Sequence, residues 1–291
     1  MMGGMNRDVA QASLADALEG WRPEPVEMVR RADPWFAEAF ADLLDAPRPE
    51  QLPPLWHWLV LLGHPAGSNT GADGHPASGP FLPPIPGRRR MFAGGRLRQD
   101  APIPLGAELS SRATVSDVTV KTGRSGEMAF VTVRTELAVD GAPVGVEEQD
   151  IVYRSEPPGT PPRTLPPPET DQPEPEGEWR LELATDPVLL FRFSALTYNG
   201  HRIHYDKQYA TDTEGYPGLV VHGPLLALLA LELPRRHAPE RAVRSFEYRL
   251  VRPAFVPARI VAAANAQGSE AEVVVAARGA GPSLTAKVGL A

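Results

Sequence analysis

The sequence predicts an α+β fold in which one unit occurs twice, each copy an antiparallel meander wrapped around a single apolar helix. Three observations carry this expectation. Nine prolines fall within the 22 residues from Glu156 to Gly177 and split the chain into halves, 1–155 and 178–291. Each half holds a Leu-rich stretch of helical character. Each half also runs into several short segments dense in Val, Thr or Ala, the composition of strands.

In the first half, Asp33 to Leu44 and the Leu- and Trp-rich Leu52 to Gly63 read as helical. The stretch from His64 to Arg98 is rich in Gly and Pro without periodicity, and reads as a long loop of the kind that carries function. Strands are expected near Glu108–Thr122, Met128–Val139 and Val144–Arg154. Asp140-Gly141 between two of them is a hairpin signal, because both types tolerate positive φ. The segment 156–177 lacks backbone donors and reads as an extended linker. Beyond it, Arg180–Leu183 and Val188–Phe193 look extended. Leu225–Leu233 reads as a buried helix with Pro224 in its first turn. Strands should follow near Val243–Val251, Ala258–Ala266, Ala271–Ala277 and Leu284–Gly289. A curved sheet around one apolar helix is the hot-dog arrangement, so the expectation is a double hot-dog: two antiparallel sheets, each wrapped around a central helix. The repeat is read from element order, since the halves share no obvious sequence.

Composition narrows the function. The chain has 291 residues, of which 42% are apolar and 22% charged, and a formal charge of −7. No global basic field invites nucleic acid or an anionic membrane. The absence of cysteine excludes disulfides, thiolate metal sites and a thiol nucleophile, and fits a cytoplasmic protein. Met1 to Arg7 is small and polar, without the apolar stretch of a secretory signal. The longest apolar run, Pro224 to Leu233, is about half of the roughly 20 residues needed to cross a bilayer.

Chemistry concentrates in Leu190 to Ala210, LFRFSALTYNGHRIHYDKQYA. An apolar strand is expected to deliver Tyr198, Asn199, His201, His204 and Asp206 around a tight Asn199-Gly200 turn. His204 is the natural acid/base, because imidazole titrates near neutrality. The Asn199 amide cannot exchange a proton there, but it can hold a water or a thioester oxygen. Tyr198, His201 and Asp206 read as supports, and Asp206 is placed to set the imidazole tautomer. A metal held by His201 and His204 with Asp206 or His222 is the weaker reading, since a turn spacing is not a metal signature.

A second segment is Gly218 to Ala230, GLVVHGPLLALLA. His222-Gly223-Pro224 lies where the apolar helix begins, and the first N–H groups of a helix lack internal partners. Pro224 has no N–H, so the amide of Gly223 or Leu225 is the expected contact for an oxyanion. Gly223 is equally explained by close packing, and His222 by burial; both stay candidates for contact with substrate. Two basic clusters remain. Arg88, Arg89 and Arg90 precede Met91-Phe92-Ala93-Gly94-Gly95 and are candidates for phosphate contacts, with Met91 a candidate for lining an acyl tunnel. Arg235 and Arg236 follow the helix.

At these residues the chain resembles the MaoC-like, hydratase-2 family of double hot-dog proteins. The likeness is strongest to its branch of mesaconyl-C4-CoA hydratases and type 2 3-hydroxyacyl-thioester dehydratases. LFRFSALTYNGHRIHYD (Leu190–Asp206), GLVVHGPLLALLAL (Gly218–Leu231) and FEYRLVRPAFVP (Phe246–Pro257) carry the resemblance, with MFAGGRLR (Met91–Arg98) in the first half. It implies a hydro-lyase that adds water across the double bond of an enoyl thioester, or removes it. The thioester partner is acyl-CoA or an acyl carrier protein, and no cofactor is needed beyond the coenzyme A of the substrate. The family pairs an aspartate with a histidine five residues later. His204 falls on that histidine and Asn199 on the aspartate, while Gly223 matches the glycine whose amide faces the thioester oxygen.

The reading is therefore a hydratase/dehydratase. His204 deprotonates water, or takes the α-proton in the reverse direction; Asn199 orients water; the Gly223 amide stabilises the enolate. Tyr198, His201, Arg202 and His222 join Arg88, Arg89, Arg90 and Met91 as candidate substrate contacts, with Arg192 or Arg202 reserved for the distal carboxylate of a C5 dicarboxyl substrate. The rivals are an acyl-thioester-binding module without turnover, motivated by Asn199 and the degenerate first half, and thioester hydrolysis on the same fold. Two fused units already make a pseudo-dimer, so a monomer suffices and a homodimer of such chains is compatible.

Overall fold

The computed structural model describes residues 13–123, 126–156, 164–168 and 170–291. Their elements run α1 (Leu14–Leu18), β1 (Val26–Arg31), α2 (Pro34–Leu43), β2 (Gln51–Leu52), β3 (Arg88–Gln99), β4 (Ile103–Pro104) and β5 (Glu108–Gly123). They continue with β6 (Gly126–Val139), β7 (Ala142–Ser155), β8 (Trp179–Thr185), α3 (Pro187–Leu196), α4 (Gly223–His237) and β9 (Val243–Leu250). The chain closes with β10 (Ala258–Gln267), β11 (Glu270–Ala277) and β12 (Leu284–Leu290). Met1–Arg7 and part of the expected linker, 157–163 and 169, lie outside the described residues; the rest of 164–178 has neither helix nor strand.

Ten strands form one antiparallel sheet in the order β1-β5-β6-β7-β3-β9-β12-β11-β10-β8. The two half-sheets thus join edge to edge through β3 and β9, with Gly94 opposite Arg249 and Arg98 opposite Ser245. This removes two open strand edges at the centre of the molecule. Apart from Val188–Phe193, the expected strands of both halves are present, and Asp140 and Gly141 turn the β6–β7 hairpin at φ 47° and 82°.

The central helix survives in the second half alone. In α4 every residue from Leu225 to Pro234 is buried, packed on the concave face of β8 to β12. Each fully buried Leu there contributes roughly 1.5–3 kcal/mol. Arg235 and Arg236 lie inside this helix and bond the buried Glu232 carboxylate, at 2.6 Å and 3.1 Å, so they are structural. In the first half, the stretch expected as a helix from Leu52 to Gly63 is only a 3₁₀ turn, Trp56–Leu59. Pro54 pushes the residue before it out of the helical region, and Leu55 sits at φ 67°, also outside it. The turn is held instead by polar contacts. The Glu147 carboxylate of β7 accepts from His57 Nε2 at 2.5 Å, Trp58 Nε1 at 2.8 Å and Gln149 Nε2 at 2.7 Å.

Two further expectations are corrected. Val188–Phe193, read as extended, is helical in α3: Asp186 caps the Leu189 N–H at 2.7 Å and Pro187 fills the first turn. Its run of apolar residues hid the helical period, because Leu189, Leu190 and Phe193 are buried while Val188 and Phe191 are exposed. The other correction is β3. Arg88–Gln99 was expected at the end of a loop, yet it is the strand that joins the halves. Gly94 and Gly95 make this feasible. A Cβ at Gly94 would meet the Tyr248 carbonyl oxygen at 2.3 Å, and one at Gly95 the Glu148 carbonyl oxygen at 2.4 Å.

Candidate active site

Strand β9 ends at Leu250, whereas β3 continues past Gly94 to Arg88 bonded only to β7. Beside this unpaired stretch opens a cleft of about 1970 Å³. Its walls come from β3, from the start of α4, and from the polar turn that follows α3. Trp58, Phe92 and Tyr248 form an aromatic side, with ring centroids 6.1–6.5 Å apart.

The polar turn is rigid. Tyr198 adopts φ 49°, and the Asn199 N–H donates to the Ser194 carbonyl at 2.8 Å. Asn199 Oδ1 accepts from the His201 N–H at 3.0 Å, which leaves Nδ2 without a partner among the described residues. The 3₁₀ turn Arg202–His204 then places the His204 ring against the strand-like segment before α4. His204 Nδ1 lies 2.7 Å from the Val220 carbonyl. A carbonyl only accepts, so Nδ1 carries the hydrogen and neutral Nε2 keeps its lone pair. Burial lowers the His204 pKa to about 4, with the Val220 bond opposing and His75 adding to the fall. At neutral pH this cleft-lining ring is an unprotonated base with a defined tautomer.

Four imidazoles form a row. His222 stacks on His204 with centroids 3.6 Å apart, His201 meets His204 edge-on at 5.4 Å, and His75 lies against His201 at 3.9 Å. His201 is pushed down to about 2 by burial, then by His75 and His204. His222 is fully buried behind His204, bonds Ser194 Oγ through Nε2 at 2.8 Å, and does not line the cleft. Its expected contact with substrate is therefore replaced by support of the His204 ring. The alternative metal set is not assembled either: His204 Nδ1, His222 Nε2 and the Asp206 carboxylate are taken by Val220, Ser194 and Arg202.

Asn199, Tyr198, His201, Gly223, Met91 and Arg88, Arg89 and Arg90 at the start of β3 all line the same cleft as His204. A Cβ on Gly223 would lie 2.6 Å from Leu250 Cδ1 and displace the end of that side chain, so the glycine lets Leu250 pack against backbone at the cleft wall. Its N–H has no acceptor among the described residues. The arginines divide. Arg88 donates to the carbonyls of Pro83 and Ala77, and Arg89 pairs with Glu156 and Glu214. Both are spent on internal partners, which corrects their expected role as free phosphate ligands. Arg90 has no carboxylate partner among the described residues; it hydrogen-bonds the Tyr153 phenol, and its charge reaches His201. Arg202 donates through Nη2 and Nε to one oxygen of Asp206, at 2.7 and 3.1 Å, and lies over the Tyr209 ring; neither it nor the exposed Arg192 lines the cleft. The expected contacts from Arg202 and Arg192 to a distal carboxylate are thus not formed by this arrangement.

Sequence reading missed Asp73 and His75. They sit in the stretch set aside as a loop, and line the cleft beside His201. The available signal was an acid and a histidine flanking one glycine, Asp73-Gly74-His75. With His201 they bring three ligand-type atoms within 4.8 Å of one another. Those groups are engaged with each other: His75 Nδ1 bonds Asp73 at 3.0 Å, and its ring lies against His201.

The family model of hydroxyacyl-thioester dehydratase type 2 matches residues 55–256, spanning the aromatic turn, β3, the polar turn and the start of α4. The chain belongs to this family. As a type 2 dehydratase relative it is a hydro-lyase of the hydratase/dehydratase type, on a MaoC-like hot-dog scaffold. It is 46% identical over 217 residues to the mesaconyl-C(4)-CoA hydratase of Chloroflexus aurantiacus, covering 74% of this chain and 75% of that one. A 78-residue stretch is 47% identical to the mitochondrial hydroxyacyl-thioester dehydratase type 2 of Schizosaccharomyces pombe, covering 25% and 26% of the two chains. Two solved structures share the dehydratase scaffold. HtdX of Mycobacterium tuberculosis superposes with a TM-score of 0.64 at 16% identity, over 91% of this chain and 99% of that one. A MaoC-like dehydratase from Phytophthora capsici gives 0.66 at 13% identity, over 92% and 95%. No helix among the described residues is long and apolar enough to cross a membrane.

Proposed function

We propose that this dehydratase-family chain hydrates a short enoyl-CoA bearing a second carboxylate, of the mesaconyl-C4-CoA type, with His204 as the base. The 2.7 Å bond from His204 Nδ1 to the Val220 carbonyl carries the proposal, because it leaves Nε2 as a proton acceptor on the cleft wall. In hydration, Nε2 takes a proton from water as the oxygen bonds the β-carbon. The alkene electrons move toward the thioester oxygen, where the Gly223 N–H at the start of α4 stabilises the charge. The α-carbon then takes up a proton. In dehydration, His204 returns a proton to the leaving hydroxyl. Asn199 Nδ2 orients the water. The substrate class is supported by 46% identity to a mesaconyl-C(4)-CoA hydratase and by Arg90, a cleft-lining guanidinium that bonds the Tyr153 phenol but has no carboxylate partner among the described residues. Mixing the protein with mesaconyl-C4-CoA or crotonyl-CoA and following enoyl absorbance tests the reading. Turnover that His204→Ala abolishes is expected. Tight acyl-CoA binding without turnover selects the binding-module rival, and release of free thiol selects hydrolysis.

A further inference from the structure

Asn199 cannot titrate, so the family's aspartate–histidine pair is reduced to one proton-handling group, which would have to take a proton from water at the β-carbon and deliver one to the α-carbon in turn unless a second group shares the work. The first half of the chain brings a carboxylate and an imidazole to the same cleft. The Asp73 carboxylate binds its own loop: Oδ1 accepts the His75 N–H at 3.0 Å and Oδ2 lies 3.0 Å from His75 Nδ1. The loop is docked on the polar turn of the second half. The Asp73 carbonyl accepts the Arg202 N–H at 2.9 Å, and the Ala72 carbonyl accepts from the Arg202 guanidinium at 3.0 Å. Gly74, at φ 90°, approaches Gly200 so closely that a Cβ would meet its carbonyl oxygen at 1.8 Å. Such close docking holds the His75 ring at 3.9 Å from His201, which in turn meets His204 at 5.4 Å.

We infer that Asp73 and His75 form the second proton-handling pair of this site, with His75 as the acid that protonates the α-carbon during hydration and Asp73 as its positioning residue. The inference rests on the hydratase reading above. Burial raises Asp73, but the hydrogen bonds and charge of His75 outweigh it and hold the carboxyl at about 2, so Asp73 is ionised. An ionised carboxylate on Nδ1 fixes that nitrogen as the donor of the pair and leaves Nε2 for a second partner. The groups around His75 are Asp73 on its own loop, His201 and His204 from the polar turn, Arg90 of β3 acting on His201, and Tyr209 acting on Asp73. In the step itself, His204 Nε2 takes the proton of water as the C–O bond forms at the β-carbon. His75 Nε2 gives its proton to the α-carbon as the enolate electrons close the C–H bond. His204 ends protonated and His75 neutral, and exchange with water resets both; the His75 side chain keeps 19% of its surface exposed for this.

The test compares wild type, His75→Gln and Asp73→Asn in mesaconyl-C4-CoA hydration across pH, with calorimetric binding of butyryl-CoA, which cannot react. His75→Gln should lower kcat by about 10²–10³ while the butyryl-CoA Kd stays within about threefold. The acid limb of the pH–rate profile, set by His204, should be kept. Asp73→Asn should cost roughly tenfold in kcat, keep the acid limb and leave the butyryl-CoA Kd within about threefold. Wild-type turnover with His75→Gln within about threefold in kcat overturns this inference alone. So does a His75→Gln loss matched by equal loss of butyryl-CoA binding. Activity removed by a chelator and restored by zinc overturns it in favour of a metal held by Asp73, His75 and His201. A wild-type protein without hydration of any enoyl-CoA overturns the hydratase reading as well.

Discussion

The pH dependence of hydration reads the protonation of His204 directly. The ring works as a base only when neutral, and burial lowers its pKa from 6.5 to about 4. At pH 5 a ring with that pKa is about 90% neutral, whereas an unperturbed imidazole would be about 3% neutral. The two cases differ about 30-fold in kcat/KM at pH 5 relative to pH 8 on the acid limb. The assay holds enzyme at pH 7, jumps it by stopped-flow mixing into mesaconyl-C4-CoA at pH 4 to 8, and records the initial loss of enoyl absorbance. The jump separates the rate of the folded protein from slower acid unfolding. An acid limb with its midpoint near pH 4 is expected, with little loss at pH 5. A midpoint near 6.5 would refute the buried, Val220-bonded base, because a ring exposed enough to titrate there cannot be held as the structure holds it.

The same burial makes folding pH-dependent. The unfolded ring binds a proton near 6.5 and the folded ring near 4, so the stability it contributes is present above pH 6.5 and lost as the pH falls toward 4. For His204 the loss between pH 7 and pH 5 is about 2 kcal/mol, and His201 and His222 act in the same direction, so denaturant midpoints should fall over this range. Arg90→Gln should raise KM for mesaconyl-C4-CoA by about 10-fold or more, the cost of a charge-assisted hydrogen bond, and leave crotonyl-CoA kinetics unchanged; equal effects on both substrates would remove Arg90 from the carboxylate subsite. Glu147→Ala strands the buried His57 ring, Trp58 Nε1 and Gln149 Nε2, and should cost about 3–5 kcal/mol of stability, seen as a Tm lower by roughly 10 °C in calorimetry.

The strands of both halves were legible because Val, Thr and Ala alternate over segments bounded by turn residues, as at Asp140-Gly141. The helix α4 was legible from its unbroken apolar run after Pro224. His204 and Asn199 were legible because the chemistry of a short polar stretch is local. Where reading failed, two structures shared one pattern. The apolar residues of α3 fit a buried strand as well as a helix, and only the cap from Asp186 decides between them. The Arg88–Gln99 strand has a basic start and two glycines, and its pairing depends on β7 and β9, which lie far off in sequence.

By itself the sequence determined the α+β class, the two strand-rich halves, the buried helix of the second half and the polar turn on which His204 and Asn199 lie, because each follows from local composition and spacing. Only the tertiary structure decided that β3 and β9 weld the halves into one sheet, that Arg88, Arg89 and Arg202 are spent on internal partners, and that His75 stands beside His201. Each of these depends on groups more than a hundred residues apart meeting in space, or on which carbonyl or carboxylate reaches a given side chain first, and a linear pattern does not encode such distances.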